Sequence, residues 1–205
     1  MHHPDACFRA ELEKRLKGKG ITLDKQKIED GERHALFTLV SPFLKDIVYY
    51  TNKNSINLFA EALGELISPT DYARTVKVEL SHIGIDSCGI TLKDASGLSP
   101  ANAVPAEVFT DLLIWAKGHL SDVFVASLPQ GNVDWGLRIY SDHPILRGNI
   151  LAKTGSMSGV RALAGYLKTQ RGETLAFTIL VNNYVGDPVK VQEIIRDLLK
   201  EFADK

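Results

Sequence analysis

The chain has 205 residues, 44% of them hydrophobic and 24% charged, an ordinary globular composition with room for one large domain or two small ones. Its 24 basic and 25 acidic residues are interspersed and leave a formal net charge of −1, so charge points to neither a nucleic-acid footprint nor a polybasic membrane patch. Cys7 and Cys88 lie far apart without metal-ligand spacing, which excludes reading a zinc site or a disulfide framework, and no apolar run reaches membrane-spanning length.

The elements follow in chain order. Pro4 with Phe8, Leu12 and Leu16 predicts an amphipathic helix that stops near Gly18 and Gly20. This abrupt start, with no signal peptide, suits an internal fragment better than a complete secreted precursor. His34 to Val40 reads as a strand, Pro42 opens a helix carrying Phe43, Leu44, Ile47 and Val48, and Asn54 to Ile67 is helical by pattern. Pro69-Thr70-Asp71 caps a further helix that runs to Gly84. The stretch from Gly84 to Asn102 is rich in Gly, Ser, Asp and Pro and should be irregular, with one short strand at Gly89 to Leu92. Helices are expected at Pro105 to Leu120 and Ser121 to Ser127.

From Asn149 the pattern changes. Asn149 to Lys153, Val160 to Lys168 and Leu175 to Asn182 read as strands joined by turns at Gly155, Gly159 and Arg171-Gly172. Asp187-Pro188 then opens a helix whose Val191, Ile194, Ile195, Leu198 and Leu199 form one apolar stripe able to pack across the strands.

Two short motifs could carry chemistry. In Lys153-Thr154-Gly155, at the end of a predicted strand, Gly lets a ligand backbone approach, the Thr hydroxyl can hold a carboxylate and Lys supplies a positive charge. Alone, it reads more readily as a surface lysine on an exposed hairpin strand. Ser55-Ile56-Asn57 stands at a helix entry, where a hydroxyl or amide also serves as a cap.

Together and in context they are more specific. Serine β-lactam-recognising enzymes combine a nucleophile Ser-x-x-Lys, a Ser-x-Asn element and a Lys-Thr-Gly strand. The stretch SPFLKDIVYYTNKNSINLFAEAL resembles the helix pair around the Ser-x-Asn element of penicillin-binding-protein-4-type D-alanyl-D-alanine carboxypeptidases. DASGLSPANAVPAEVFTDLL resembles their Asp-Gly-Ser-Gly-Leu-Ser loop and next helix, LPQGNVDWGL their loop before the Lys-Thr-Gly strand, and AKTGSMSGVRALAGYL with LAFTILVNNY the strands that follow. The order is the family's and the likeness covers about Phe8 to Leu199. The departures are Ala95, where Gly is usual and could serve a turn that wants positive φ, and Ser156-Met157, where Thr-Leu is common.

The resemblance implies an α+β penicillin-recognising fold, with an antiparallel sheet, flanking helices and a helical lobe. Residues 1–205 would form the C-terminal part of one such domain, with about 42–148 as helical lobe and loops and 149–205 as a three-strand meander plus helix. It implies a serine-type D-Ala-D-Ala carboxypeptidase or endopeptidase acting on peptidoglycan stem peptides, inhibited by β-lactams, in the periplasm or cell envelope and without a cofactor. Ser55, Asn57 and Lys153 would be catalytic, and Thr154, Gly155 and Ser156 would bind substrate. No Ser-x-x-Lys occurs in the 205 residues; Ser41 and Lys45 are one position too far apart. The nucleophile is therefore expected from an N-terminal part of the same protein, and this chain alone is expected to be inactive. The alternative is a non-catalytic fragment or degenerate homologue that at most binds cell-wall peptide.

Overall fold

A computed structural model describes residues 4–22, 38–120, 122–140 and 142–204. Two compact units divide the chain, Met1–Ser41 and Pro42–Lys205. In the first, helix α1 spans Pro4–Gly18. Gly20 at φ +75° ends it, with the Ile21 N–H donating to the Leu16 carbonyl at 3.0 Å, the left-handed stop that glycine permits. The strand expected at His34 to Val40 falls largely outside the described residues, and residues 38–40 carry no regular structure.

The second unit contains helices α2 (Leu44–Asn54), α3 (Asn57–Ile67), α4 (Tyr72–His82), α5 (Ala106–His119) and α6 (Asp122–Ser127), then strands β1 (Ile150–Met157), β2 (Val160–Lys168) and β3 (Thr174–Asn182), and helix α7 (Pro188–Ala203). The strands form an antiparallel sheet in the order β1-β2-β3. Ile150 lies opposite Leu167 and Met157 opposite Val160, so β1 and β2 form a hairpin closed by Ser158 and Gly159, the latter at φ +68°.

The sheet separates two apolar layers. On one face Ile150, Ala152, Leu163 and Leu167 pack with Ile195, Leu199 and Ala203 of α7 and with Leu137, Tyr140 and Leu146 of the preceding segment. On the other, Tyr166 packs with Leu113 of α5 and with Leu128, and its hydroxyl donates to the Leu113 carbonyl at 2.6 Å. Strand alternation assigns Lys153 to this second, helical side, in step with Leu151 and Tyr166. A third cluster, Leu80, Ile85, Ile90 and Val108, holds α4 and α5 together.

Three expectations change. Gly155 lies inside β1, opposite Ala162, rather than in a turn. Gly89 to Leu92 forms no strand; only an isolated bridge joins Thr91 to Ala103. The helix expected from Asn54 to Ile67 is broken after Asn54, because Ser55 adopts φ 53°, ψ 50°.

Candidate functional site

Ser55 is the C-cap of α2 in the left-handed region, with its N–H and that of Ile56 both directed to the Thr51 carbonyl. That conformation is normally given to glycine and costs a serine roughly 1–2 kcal/mol. A non-glycine residue held there is a mark of local strain that the surroundings must support. From the facing strand β1, Lys153 Nζ donates to Ser55 Oγ at 3.0 Å and to the carbonyl of Thr154 at 2.7 Å. Among the described residues no side chain caps the start of α3, whose N-cap is Ile56, so Ser55 has no N-cap role there.

The lysine is partly buried, and that burial holds its amine below the ordinary value of 10.5. An ammonium donating to Ser55 Oγ leaves the hydroxyl's own proton free to be passed to a third group, which is the arrangement a proton relay requires. Asn57, the first residue of α3, is exposed two positions beyond Ser55. Along β1, Gly155 shares Lys153's parity while Thr154 and Ser156 alternate with it. The Thr154 hydroxyl lies beside Gly136, where an added Cβ would sit 3.6 Å from it, and Ser156 is exposed. Ser55 and Lys153 are thus in direct contact.

Two anchors around the Ser-x-Asn turn were not legible in the sequence. One turn into α3, the Glu61 carboxylate accepts the N–H of Ser96 at 2.9 Å and of Ala95 at 3.4 Å. The loop it holds is organised by Asp94, which accepts from the Gly97 N–H at 2.7 Å, the Ser99 N–H at 2.5 Å and the Asn102 amide at 2.8 Å. Burial raises the Asp94 pKa, but the bonds from Asn102 and from the backbone of Gly97, Ser99 and Leu98 outweigh it and hold the carboxyl below 3.8. Gly97 takes the positive φ of this loop, +78°, and Ala95 does not, so the alanine departure introduces no strained turn. Its methyl instead fits against Gly64 of α3, where a Cβ would come within 2.6 Å.

The second anchor is Lys53, on the last turn of α2, whose Nζ donates to the Leu128 carbonyl at 2.7 Å and to Asp134 at 2.9 Å. Asp134 lies in the LPQGNVDWGL stretch, but nothing in a sequence shows which distant lysine an aspartate will meet.

A sheet flanked by helices, with a Ser-x-Asn turn brought to a Lys-Thr-Gly strand, defines the class of serine β-lactam-recognising proteins. The crystal structure of penicillin binding protein 4 from Haemophilus influenzae, complexed with a β-lactam, superposes with a TM-score of 0.83 at 28% identity, over 96% of this chain and 51% of that one. The chain belongs to the D-Ala-D-Ala carboxypeptidase 3 (S13) family, which matches over residues 1–205. A D-alanyl-D-alanine carboxypeptidase of an Actinomadura species is 34% identical over 191 residues, 88% of this chain, and the DacB carboxypeptidase of H. influenzae is 29% identical over 207 residues, 91% of this chain. The chain spans 35% and 42% of those two relatives.

Proposed function

We propose that this chain is the substrate-holding and polarising part of a serine-type D-Ala-D-Ala carboxypeptidase acting on peptidoglycan stem peptides in the cell envelope. Residues 1–205 would be the C-terminal part of its penicillin-binding domain. The observation that carries the reading is the 3.0 Å contact between Ser55 and Lys153, 98 positions apart, in a chain of this family.

The nucleophilic serine and its lysine would come from a segment N-terminal to this chain, since no Ser-x-x-Lys occurs within it. That serine attacks the carbonyl of the D-Ala-D-Ala bond, forming an acyl-enzyme that water then hydrolyses; a β-lactam acylates the same oxygen. Ser55 relays a proton to the leaving amine, Asn57 holds a substrate amide, and Lys153 orients the Ser55 hydroxyl and attracts the terminal carboxylate. Thr154 and Ser156 bind that carboxylate with their hydroxyls, Gly155 gives room for the substrate backbone, and the Ser156 N–H is one oxyanion donor. Two features support a covering segment: β3 pairs on one side only among the described residues, and α7 exposes Ile194, Leu198 and Phe202.

The 205-residue chain alone, incubated with a fluorescent penicillin and run on a denaturing gel, should show no stable band. A band lost on Ser55→Ala would make Ser55 the nucleophile and overturn these roles. The same missing Ser-x-x-Lys favours a second reading, a non-catalytic chain that binds cell-wall peptide. A whole protein that binds a D-Ala-D-Ala peptide calorimetrically without ever releasing D-Ala would select it.

A further inference from the structure

Ser55 and Lys153 come from different layers of the unit, and a single hydrogen bond between an exposed serine and a flexible lysine does not set the distance between a helix end and a sheet edge. A second connection runs parallel to it. Lys53 stands two residues before Ser55, and its ammonium reaches both the Leu128 carbonyl and the Asp134 carboxylate. This pair is largely shielded from solvent, with side chains 12% and 23% exposed. The same Asp134 oxygen accepts the Gln130 N–H at 2.6 Å, closing the loop on itself.

That loop is also fastened to β1. The Ala152 N–H donates to the Pro129 carbonyl and the Gly131 N–H to the Ile150 carbonyl, each at 2.9 Å, with Gln130 bridged to Leu151. Residues 128–134 are therefore tied on one side to α2 just before Ser55 and on the other to β1 just before Lys153. The Asn52 amide, donating to the fully buried Ser127 hydroxyl at 2.8 Å, adds a tie beside the first.

We infer that Lys53 and Asp134 are a positioning pair for Ser55 and Lys153: their ion pair locks the end of α2 to the edge of β1 and so sets the reach of the Ser55–Lys153 hydrogen bond. The inference rests on the catalytic reading of those two residues. A shift of the helix end by about 1 Å would stretch a 3.0 Å contact out of hydrogen-bond range, and such shifts are what a supporting shell exists to prevent. A partly buried ion pair is a weak source of net stability, since desolvation offsets much of its attraction. Its two ends instead sit next to the two residues whose separation matters.

The test uses the 205-residue chain labelled in its lysine and serine side chains, with the nuclear Overhauser contact between Lys153 and Ser55 as the spectroscopic signature. Lys53→Met keeps the stem and removes the charge, Asp134→Ala removes the oxygen that accepts from Lys53, and Lys53→Arg keeps the charge. The contact should be present in the original chain and in Lys53→Arg, and lost in Lys53→Met and in Asp134→Ala, while the buried Tyr166 signals stay unchanged. If Lys53→Met does not fold, Asp134→Ala alone decides. A folded Asp134→Ala or Lys53→Met that keeps the contact at its original intensity overturns the inference. In a longer protein that carries the nucleophile, Lys53→Met should slow acylation by penicillin at least fivefold and Lys53→Arg should restore most of it; equal rates would also overturn the inference. If no form is labelled while the contact depends on Lys53 as stated, the positioning result stands and the catalytic reading falls.

Discussion

Replacing Asp94 by Asn tests whether the loop held on α3 is organised by a carboxylate. Among its hydrogen bonds, Asp94 accepts those from Gly97 and Asn102 on one oxygen and that from Ser99 on the other. Asparagine has one acceptor oxygen, so its amide would face the Ser99 N–H donor to donor. A hydrogen bond to a charged group contributes about 1.5–3 kcal/mol, but this loop is partly open to water, which reduces the expected loss to about 1–2 kcal/mol. For a protein of this size that is a fall in melting temperature of roughly 2–8 °C.

The pH dependence has a definite sign. Because the folded carboxyl titrates below its ordinary 3.8, its contribution is fully present above about that value and is lost as pH falls through the lower folded value. The gap between the original chain and Asp94→Asn should therefore be constant at pH 5–7 and shrink in acid. Thermal melts across that range, with amide exchange of Ser99 as the local probe, make the measurement. Equal melting temperatures at pH 7, or a gap that does not shrink in acid, would refute the reasoning.

Other outcomes follow from particular contacts. Gly165→Ala would place a Cβ 2.1 Å from the Leu151 carbonyl oxygen and 2.5 Å from the Ala152 Cα, both backbone atoms of β1, so it should cost at least the roughly 1–3 kcal/mol of ordinary overpacking and abolish the Lys153–Ser55 contact, as judged by denaturant unfolding and side-chain NMR. Tyr166→Phe removes the buried bond to Leu113 and should cost about 0.5–1.5 kcal/mol by the same unfolding measurement, with the sheet intact. In a protein carrying the nucleophile, the acylation rate should decline on the alkaline side below pH 10.5, because burial makes Lys153 lose its proton earlier than an ordinary lysine; in Lys153→Arg that decline should move up or vanish.

Much of the architecture was legible because local signals agreed with the final packing. The Asp71 cap accepts the Arg74 N–H at 3.2 Å, Asp187 accepts the Val189 N–H at 2.8 Å, and the apolar stripe of α7 meets the sheet through Ile195 and Leu199. Where the reading failed, tertiary contacts outweighed local ones. Thr154 to Met157 look like a polar turn, yet they extend β1 because β2 pairs with them to the end of the hairpin. Ser55 sits in a helical pattern but turns left-handed where α2 must stop for α3 to begin, a break that no glycine announces. The Ser-x-Asn and Lys-Thr-Gly motifs were found because their residues are adjacent in the chain. Lys53 and Asp134 are 81 positions apart, and Glu61 meets Ser96 across 35, so only the fold brings them together.

The most direct test of the account is the rate at which a longer protein carrying both this chain and a Ser-x-x-Lys segment is labelled by a fluorescent penicillin, with and without Lys153→Ala. The ammonium reaches Ser55 at 3.0 Å and Lys153 belongs to none of the three apolar clusters of the described residues, so its loss should act on the chemistry rather than on the fold. The account predicts labelling at least tenfold slower, about 1.4 kcal/mol of barrier, at a nearly unchanged melting temperature. An unchanged labelling rate in a folded Lys153→Ala protein would contradict it and leave Lys153 a surface residue of an edge strand.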